Sequence, residues 1–340
     1  MRRAGRSEAA LIAQLTRVFS EKGAGARGVE VGIGDDAAVL APIRAPLVWT
    51  VDACVEGVHF DARWLSPADV GARSFHAAAS DLAAMGARPV AALSSLIVPA
   101  AFADRRLLEL VRGQAEASRE LACPVIGGNV SRGDELSVTT TVLGVAERPL
   151  LRRGARAGDE VWLLGDVGLA AAGLCCLERG LSARGGRADA VAVCVAAWRR
   201  PRALLREGRR LVGRAHAAID VSDGLGADAG HIASESGVRL VVEEGRLARV
   251  LRPELVEVCR ELELSPLELA LSGGEDYAIL ATGPERARVR GAKVVGRVER
   301  GQGVAIERRD GSRWDGAAMG FDHFGGRSGA RGKGRARGRA

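Results

Sequence analysis

The 340-residue sequence predicts an α/β protein with mixed α+β character, organised as two domains. Short apolar runs typical of buried strands alternate with segments of helical periodicity along the whole chain. The length suits two domains of ordinary size, and a polar, glycine-containing segment at 152–159 (RRGARAGD) interrupts the alternation near the middle. We therefore expect an N-terminal domain at 1–148, a C-terminal α/β domain at 149–324 and a separate tail at 325–340.

Helix starts are recognisable in the N-terminal half. Ser7 is a suitable N-cap for a first helix, which carries apolar residues at helical spacing and ends near Gly23. Ser66 and Pro67 are typical of the start of a second helix, which we expect to run to about Ala84. The remaining expected elements of this half are a helix at 104–121 and strands at 47–51, 90–98, 124–126 and 136–147.

The C-terminal half repeats the alternation of strand and helix. We expect helices at 170–179, at a segment ending near 198, at 225–236 and near 253–262. We expect strands at 160–164, 217–221, 238–242, 277–282, 293–298 and 303–307.

The net charge of +7 is concentrated in the tail. Residues 325–340 hold six basic and no acidic residues, which leaves 43 basic and 42 acidic residues in the rest of the chain. We expect the tail to be disordered, and we expect nucleic-acid contact to be at most weak and confined to it. Only three lysines are present, and no Gly-Lys is followed by Ser or Thr, so a nucleotide must be held without a P-loop.

The cysteines and the N-terminus favour a reducing compartment. Six cysteines are scattered without a C-x-x-C pair, which predicts free structural thiols and no zinc site. The N-terminal segment has no convincing signal peptide, and the longest apolar run, at 89–102, is too short to span a bilayer. We therefore expect a cytoplasmic protein with no membrane contact.

Carboxylates recur in glycine turns and at the ends of expected strands. The groups are Gly34-Asp35-Asp36, Thr50-Val51-Asp52, Asp220-Val221-Ser222-Asp223-Gly224 and Gly273-Gly274-Glu275-Asp276, with Asp81 near the end of a helix. Each group alone is more simply interpreted as a turn or a helix cap. Together they favour one site, and carboxylates that converge need cations because they repel one another and lose solvation. Mg²⁺ suits them because it takes oxygen ligands from a few carboxylates together with substrate phosphates.

Phosphate-binding groups lie between these acidic segments. Gly127-Gly128-Asn129 follows an apolar strand and offers backbone N–H groups and an amide oxygen, and Arg152 lies among further arginines. Ser222 is not in a G-x-S-x-G elbow, so hydrolase chemistry is disfavoured. The spacing around His59 leaves open whether it has a structural role at a strand end or contacts a substrate.

Eight motifs in order resemble the thiamine-monophosphate kinase family of the aminoimidazole-ribonucleotide synthetase superfamily. They are IGDDAA (33–38), VDACVEGVHF (51–60), SDLAAMGARP (80–89), IGGNVSRG (126–133), RRGARAGD (152–159), AIDVSDGL (218–225), LSGGEDY (271–277) and GFDHF (320–324). The resemblance covers nearly the whole chain. It implies ATP-dependent phosphorylation of thiamine monophosphate to thiamine diphosphate, the last step of thiamine diphosphate biosynthesis, by direct in-line transfer with several Mg²⁺ ions.

The resemblance also implies roles for individual residues. Magnesium ligands are implied at Asp36, Thr50, Val51, Asp52, Asp81, Asn129, Asp220 and Asp223, of which Asp52, Asp81 and Asp220 are the catalytic set. ATP contacts are implied at Gly128, Asn129, Arg152 and Ser222. Contacts with the thiamine part are implied at His59, Glu275 and Phe321, and a homodimer is implied through a sheet of the N-terminal domain.

The sequence departs from the family pattern at a few positions and leaves alternatives open. Many relatives have Thr where Val51 stands and Asp where Asn129 stands, and the segment 165–170 lacks the usual glycine, aspartate and serine pattern. Other superfamily members, such as selenophosphate synthetase, the hydrogenase-maturation dehydratase and the purine synthetase, are the alternatives within the class. The first two are disfavoured because no catalytic Cys or Lys lies in a glycine-rich N-terminal segment and no cysteine-bearing C-terminus is present. A nucleic-acid-binding protein acting through the tail is the alternative from another class.

Overall fold

The N-terminal half is built on a four-stranded sheet with helices on one face. A computed structural model describes residues 8–20, 28–181 and 188–316. The sheet has the order β3-β6-β4-β5, in which only the β4 and β5 pair is parallel. The elements of this half are α1 (Glu8–Ser20), β1 (Val29–Val31), β2 (Val39–Leu40), β3 (Leu47–Val55), α2 (Pro67–Ala84), β4 (Arg88–Pro99), α3 (Asp104–Glu120), β5 (Val125–Gly133) and β6 (Ser137–Val145).

The C-terminal half is built on a seven-stranded sheet of order β13-β12-β9-β11-β7-β10-β8, in which only β9 and β12 are parallel neighbours. Its strands are β7 (Glu160–Leu164), β8 (Ala217–Val221), β9 (Arg239–Glu243), β10 (Ala278–Gly283), β11 (Lys293–Glu299), β12 (Gly303–Glu307) and β13 (Arg313–Asp315). Its helices are α4 (Leu169–Glu178), α5 (Ala188–Arg199), α6 (Leu205–Leu211), α7 (Leu225–Ser236), α8 (Glu244–Val250), α9 (Pro253–Leu262) and α10 (Pro266–Ser272). The mixed α/β class and the two-part architecture are thus as expected.

Helix α2 joins the two halves. Ser66 and Asp69 form a capping box at its start, which satisfies backbone N–H groups at the helix terminus. Fifteen of its 18 residues are buried, many of them alanine, so both sheets can approach it closely. Asp69 forms an ion pair with Arg200, and the Ser80 hydroxyl donates to Asp220 on β8 at 2.8 Å. The helix that the Ser-Pro signal predicts is therefore the central element of the protein.

The largest difference from the expected elements is β5. The sequence predicts a short strand at 124–126 that ends before Gly127 and Gly128, and this prediction is wrong. The strand continues to Gly133 and pairs with β4 throughout. A Cβ at Gly128 would lie 1.9 Å from the carbonyl oxygen of Ser94, so glycine is required here by close strand packing. The structure also contains short helices that the sequence analysis did not identify, namely α6, α8 and α10.

Several expectations concern parts of the chain that the structure does not test. The Arg/Gly-rich tail and Phe321 lie outside the described residues. The boundary near residue 149 stays a prediction, although the last strand of the first sheet ends at Val145 and the first strand of the second begins at Glu160. Within the described ranges, no helix combines the length and the apolar character needed to cross a bilayer.

Candidate active site

Three aspartates from different elements meet where the two halves join. Asp52 lies on β3, an edge strand of the first sheet, and Asp81 lies near the end of α2. Asp220 lies on β8, an edge strand of the second sheet, and is 5% exposed. Asp81 and Asp220 border two neighbouring cavities, and Asp52 borders one of them. The fold therefore brings together carboxylates that are 168 positions apart in the chain.

Burial makes this arrangement electrostatically unfavourable when no cation is bound. Burial raises the pKa of Asp220 from 3.8 to about 7, and the negative charge of Asp81 adds to this increase. Burial also raises the pKa of Asp52 to about 6, again with a contribution from Asp81. Arg152 acts in the opposite direction on Asp220. A divalent cation would remove the repulsion, and the carboxylate and hydroxyl oxygens present are the ligands that Mg²⁺ prefers.

Hydroxyl groups hold two of these carboxylates in place. Thr50 donates to Asp81, and Ser80 donates to Asp220. Among the described residues, Asp52, Asp81 and Asp220 do not form a set whose ligand atoms all lie within 4.8 Å of one another. The arrangement therefore suits several ions, each held by one or two carboxylates with phosphates and waters completing the coordination.

The loop after β8 is shaped by Asp228. Its carboxylate accepts the backbone N–H groups of Ser222 and Asp223, both at 3.1 Å. Asp223, Asp228 and His231 are the one set in the described ranges with ligand atoms within 4.8 Å of one another. Burial, together with the charges of Asp223 and Asp220, raises the pKa of Asp228 to about 8. Asp228 therefore fixes the position of the two residues that the resemblance associates with ATP and metal.

A cleft of about 590 Å³ lies beside Asp52 and is bordered by two of the three residues expected to bind thiamine. His59 and Glu275 border it, together with Trp64 and Trp198. The backbone N–H of Val55 donates to His59 Nδ1 at 3.1 Å, which leaves Nε2 as the protonated nitrogen of the neutral ring. The cleft thus combines aromatic surface with one carboxylate and connects directly to the aspartate cluster.

The second cavity, of about 540 Å³, lies on the other side of the aspartates. Thr50 and Arg152 border it, along with Asp81 and Asp220. Arg152 is exposed and provides a guanidinium group near the carboxylates. The cavity therefore offers a cationic donor and metal-ligand oxygens side by side, which is what a polyphosphate requires.

Asp36, Gly128 and Asn129 lie apart from the other expected site residues. They border a third cavity, of about 950 Å³, over the open face of the first sheet. Asp52 is in register with Thr140, Ser94 and Gly128, whereas Asn129 is one residue further along β5. The side chain of Asn129 therefore points to the opposite face of the sheet from Asp52. Val51, next to Asp52, also faces this open side and is 64% exposed.

Several residues at the site were not identified from the sequence. They are Arg73, Trp64, Trp198, Tyr277 and Asp228. Arg73 and Trp198 look like ordinary helix residues in the sequence, and only the packing of α2 against α5 brings them to Glu275. Asp228 could have been found from its spacing, because an acidic residue in the first turn of a helix commonly accepts N–H groups of the preceding loop.

Comparisons with known proteins identify the family of this chain. Residues 34–146 match the family model of the AIR synthase related protein, N-terminal domain, and residues 156–308 match that of the C-terminal domain. The thiamine-monophosphate kinase of Aquifex aeolicus (strain VF5) is 34% identical over 277 residues, covering 81% of this chain and 89% of the relative. The chain belongs to the thiamine-monophosphate kinase family. It is therefore a kinase.

Other members of the thiamine-monophosphate kinase family are similarly related to this chain in sequence and structure. The protein from Mycobacterium tuberculosis (strain ATCC 25618 / H37Rv) is 33% identical over 301 residues, covering 87% of this chain and 86% of the relative. A solved structure described as AaThiL complexed with AMPPCP and TMP has a TM-score of 0.77 and 32% identity, covering 93% of this chain and 97% of that chain. The hydrogenase maturation protein HypE in complex with ATP has a TM-score of 0.73 but only 20% identity, which shows a shared fold alone.

The raised pKa values predict how pH and Mg²⁺ affect stability. In the metal-free protein, Asp220 binds its proton more tightly when folded than when unfolded, so stability should fall as pH rises from 3.8 to about 7. Mg²⁺ should therefore stabilise the protein most at the upper end of this range. In Asp220→Asn, the free energy of unfolding should fall less over this pH range, by roughly 2 kcal/mol or more.

Urea unfolding at both ends of this pH range, with and without Mg²⁺, measures these effects. Asp310→Asn is the matched control, because Asp310 is exposed in a distant turn and accepts hydrogen bonds from Ser312. In Asp310→Asn, the stability should depend on pH and Mg²⁺ as it does in the wild-type protein. Equal Mg²⁺ stabilisation at the two ends, or an unchanged pH dependence in Asp220→Asn, would show that the aspartates are not an electrostatic cluster.

Proposed function

We propose that this protein transfers the γ-phosphoryl group of ATP directly to thiamine monophosphate, giving thiamine diphosphate. The observation that carries the proposal is the aspartate cluster between two cavities, one with a cationic donor and the other with aromatic walls and a carboxylate. A phosphoryl donor and an acceptor in these cavities would meet at Asp81 and Asp220, which border both. The family relationship supports the same substrates, since a related structure is described as a complex with AMPPCP and TMP.

Mg²⁺ is the cofactor that the aspartates fit, and it would neutralise phosphate charge in the transition state. We propose Asp52, Asp81 and Asp220 as its principal ligands, with Thr50, Asp223 and the backbone of Val51 as further ligands. The pKa values of Asp52 and Asp220 support this role, because both residues carry a charge that burial disfavours. The chain itself holds the carboxylates in place through Thr50 and Ser80.

The nucleotide and the acceptor are held by different groups. We propose that Arg152 binds phosphate oxygens of ATP and that Ser222 contacts the nucleotide from the loop that Asp228 stabilises. His59 and Glu275 would bind the thiamine part in the aromatic cleft, and Phe321 stays a further proposed contact. No covalent intermediate is needed, since positioning and electrostatic stabilisation are sufficient for direct transfer.

We also propose that the protein acts as a homodimer. Large apolar side chains are exposed on the open face of the first sheet, namely Leu47, Trp49, Val51, Leu93 and Ile97. An apolar face of this kind suits a second copy of the chain. The edges of the sheet are β3 and β5, and placing β5 of one copy beside β3 of the other would cover both edges.

A dimer of this kind would also explain the position of Asn129. Three strand spacings, about 14 Å, separate the β5 strand of Asn129 from the β3 strand of Asp52 in one chain. In the proposed dimer, the backbone of Gly128 and Asn129 would lie beside β3 of the partner subunit and close to Asp52 of the partner subunit, with the Asn129 side chain on the open face that Val51 shares. Asp36 borders the same cavity as Asn129, so we propose that it contributes a metal ligand to the same shared site.

Mixing two inactive variants tests the shared site. Homodimers of either variant should have low turnover. Asp52→Asn removes a proposed carboxylate ligand of the metal, and Asn129→Lys places a positive charge among the ligands. After dissociation and reassociation as an equal mixture, half of the dimers carry one native site, so about a quarter of wild-type turnover should return. A mixture of Asp52→Asn with Asp81→Asn is the matched control and should recover none. Absence of recovery in the first mixture would place Asn129 in the site of its own chain.

The reaction itself is tested by following thiamine diphosphate by chromatography in the presence of ATP, Mg²⁺ and thiamine monophosphate. Asp52→Asn should lower turnover by roughly 100-fold or more while the protein stays folded, because an amide is a poorer Mg²⁺ ligand than a carboxylate. Asp310→Asn provides the matched change at a distant exposed site and should keep wild-type turnover. Absence of thiamine diphosphate with the wild-type protein, or equal use of free thiamine, would contradict the proposal.

A further inference from the structure

The carboxylate of Glu275 is held by side chains from two other elements. The indole Nε1–H of Trp198, on α5, donates to Glu275 Oε2 at 3.1 Å. Arg73, on α2, forms an ion pair with Glu275 Oε1. Arg73 is only 1% exposed, whereas the side chain of Glu275 is 29% exposed toward the cleft. Among the described residues, Trp198 is a partner of one carboxylate oxygen and Arg73 of the other, and the exposed part of the carboxylate faces the cleft.

The ring of Trp198 is itself fixed in position. The guanidinium group of Arg73 donates to the backbone carbonyl of Trp198 and lies 5.1 Å from the centre of its ring. Trp64 packs edge-to-face against the same ring, with 6.2 Å between ring centres and an angle of 74° between the planes. These contacts leave Trp198 with one orientation and make the two indoles a continuous aromatic wall of the cleft.

The backbone around Glu275 also shows that its position is determined by the surrounding structure. Glu275 and Tyr277 both have positive φ angles, of 58° and 50°, which cost energy for residues other than glycine. The N–H of Glu275 donates to the carbonyl of Ser222 at 2.7 Å, and the N–H of Tyr277 donates to that of Val221 at 2.8 Å. The strained segment is thus tied to the strand that carries Asp220.

We propose that Trp198 and Arg73 are positioning residues that orient the Glu275 carboxylate, and that Trp198 and Trp64 form the wall against which a flat acceptor ring packs. This inference rests on the proposed function and adds the basis of acceptor selection. The oriented carboxylate accepts a hydrogen bond from an N–H group of the acceptor or forms an ion pair with its positive charge, and the two indoles pack against the acceptor ring. The cleft therefore selects a phosphate ester of a cationic or amino-bearing heteroaromatic ring over a small aliphatic phosphate ester.

Arg73 extends this role across the two halves of the protein. It lies on the same helix as Asp81, two turns earlier, so one element positions both the metal-ligand cluster and the acceptor carboxylate. Glu275 and Trp198 belong to the C-terminal half, and the acceptor site is complete only when that half is packed on α2. Loss of the Arg73 contacts should therefore weaken acceptor binding without removing any proposed metal ligand.

The test is Trp198→Phe, which keeps an aromatic ring but removes the N–H donor to Glu275. We expect the KM for thiamine monophosphate to rise about 10-fold, as for loss of a hydrogen bond to a charged group, with the KM for ATP and kcat within about twofold of wild type. Trp162→Phe is the matched control, because Trp162 Nε1–H donates to Glu160 at 2.8 Å in the distant core on β7. This control should lower thermal stability and leave both KM values unchanged.

Further measurements separate this inference from the proposed function. In Trp198→Phe, the Kd for thiamine monophosphate measured by calorimetry should rise by the same factor as the KM. Arg73→Lys should likewise raise the KM for thiamine monophosphate and leave the KM for ATP unchanged. If Arg73→Lys does not fold, Trp198→Phe decides the matter alone. An unchanged KM in Trp198→Phe, or an equal rise in the KM for both substrates, would overturn the inference while leaving the proposed function intact. Absence of both turnover and binding in the wild-type protein would overturn both.

Discussion

The burial of Asp52 and Asp220, each beside the carboxylate of Asp81, governs the architecture of this protein. Burial of carboxylates beside one another opposes folding unless cations bind or protons are taken up, and the raised pKa values of Asp52 and Asp220 express this cost. These carboxylates lie at the junction of the two sheets. There the hydroxyl groups of Thr50 and Ser80 donate hydrogen bonds to Asp81 and Asp220 and hold them in position. A site of this kind is ready to bind cations together with phosphates.

Helix α2 connects the aspartate cluster to Glu275, the proposed acceptor-binding carboxylate. Its small buried residues let both sheets approach, Asp81 stands at its C-terminal end, and Arg73 reaches Glu275 from its middle. The same helix is tied to the C-terminal half by Asp69, which binds Arg200. The proposed metal ligands, the proposed acceptor site and the packing of the two halves therefore share one helix, which would keep the reacting groups at a fixed separation.

Local signals in the sequence predicted much of the fold. Ser66 and Pro67 marked the start of α2 correctly, and several strands of the C-terminal half were located to the residue, because caps and apolar runs depend on neighbouring residues. The predicted length of β5 was wrong because the requirement for glycine at position 128 comes from Ser94 on the neighbouring strand, which the local sequence does not reveal. The order of the motifs predicted a shared site for Asp52, Asp81 and Asp220, and the structure places them at two neighbouring cavities. Arg73 and Trp198 could not be predicted in this way, because their role arises from contacts between distant segments. The separation of Asn129 from Asp52 likewise follows from sheet register, which the motifs do not contain.

We propose that carboxylates from both halves hold divalent cations between the two substrates. The decisive experiment is anomalous diffraction from crystals grown with Mn²⁺ and a non-hydrolysable ATP analogue. We expect Mn²⁺ peaks in contact with carboxylate oxygens of Asp81 and of Asp52 or Asp220. Peaks confined to other places, such as the group of Asp223, Asp228 and His231, would contradict this proposal.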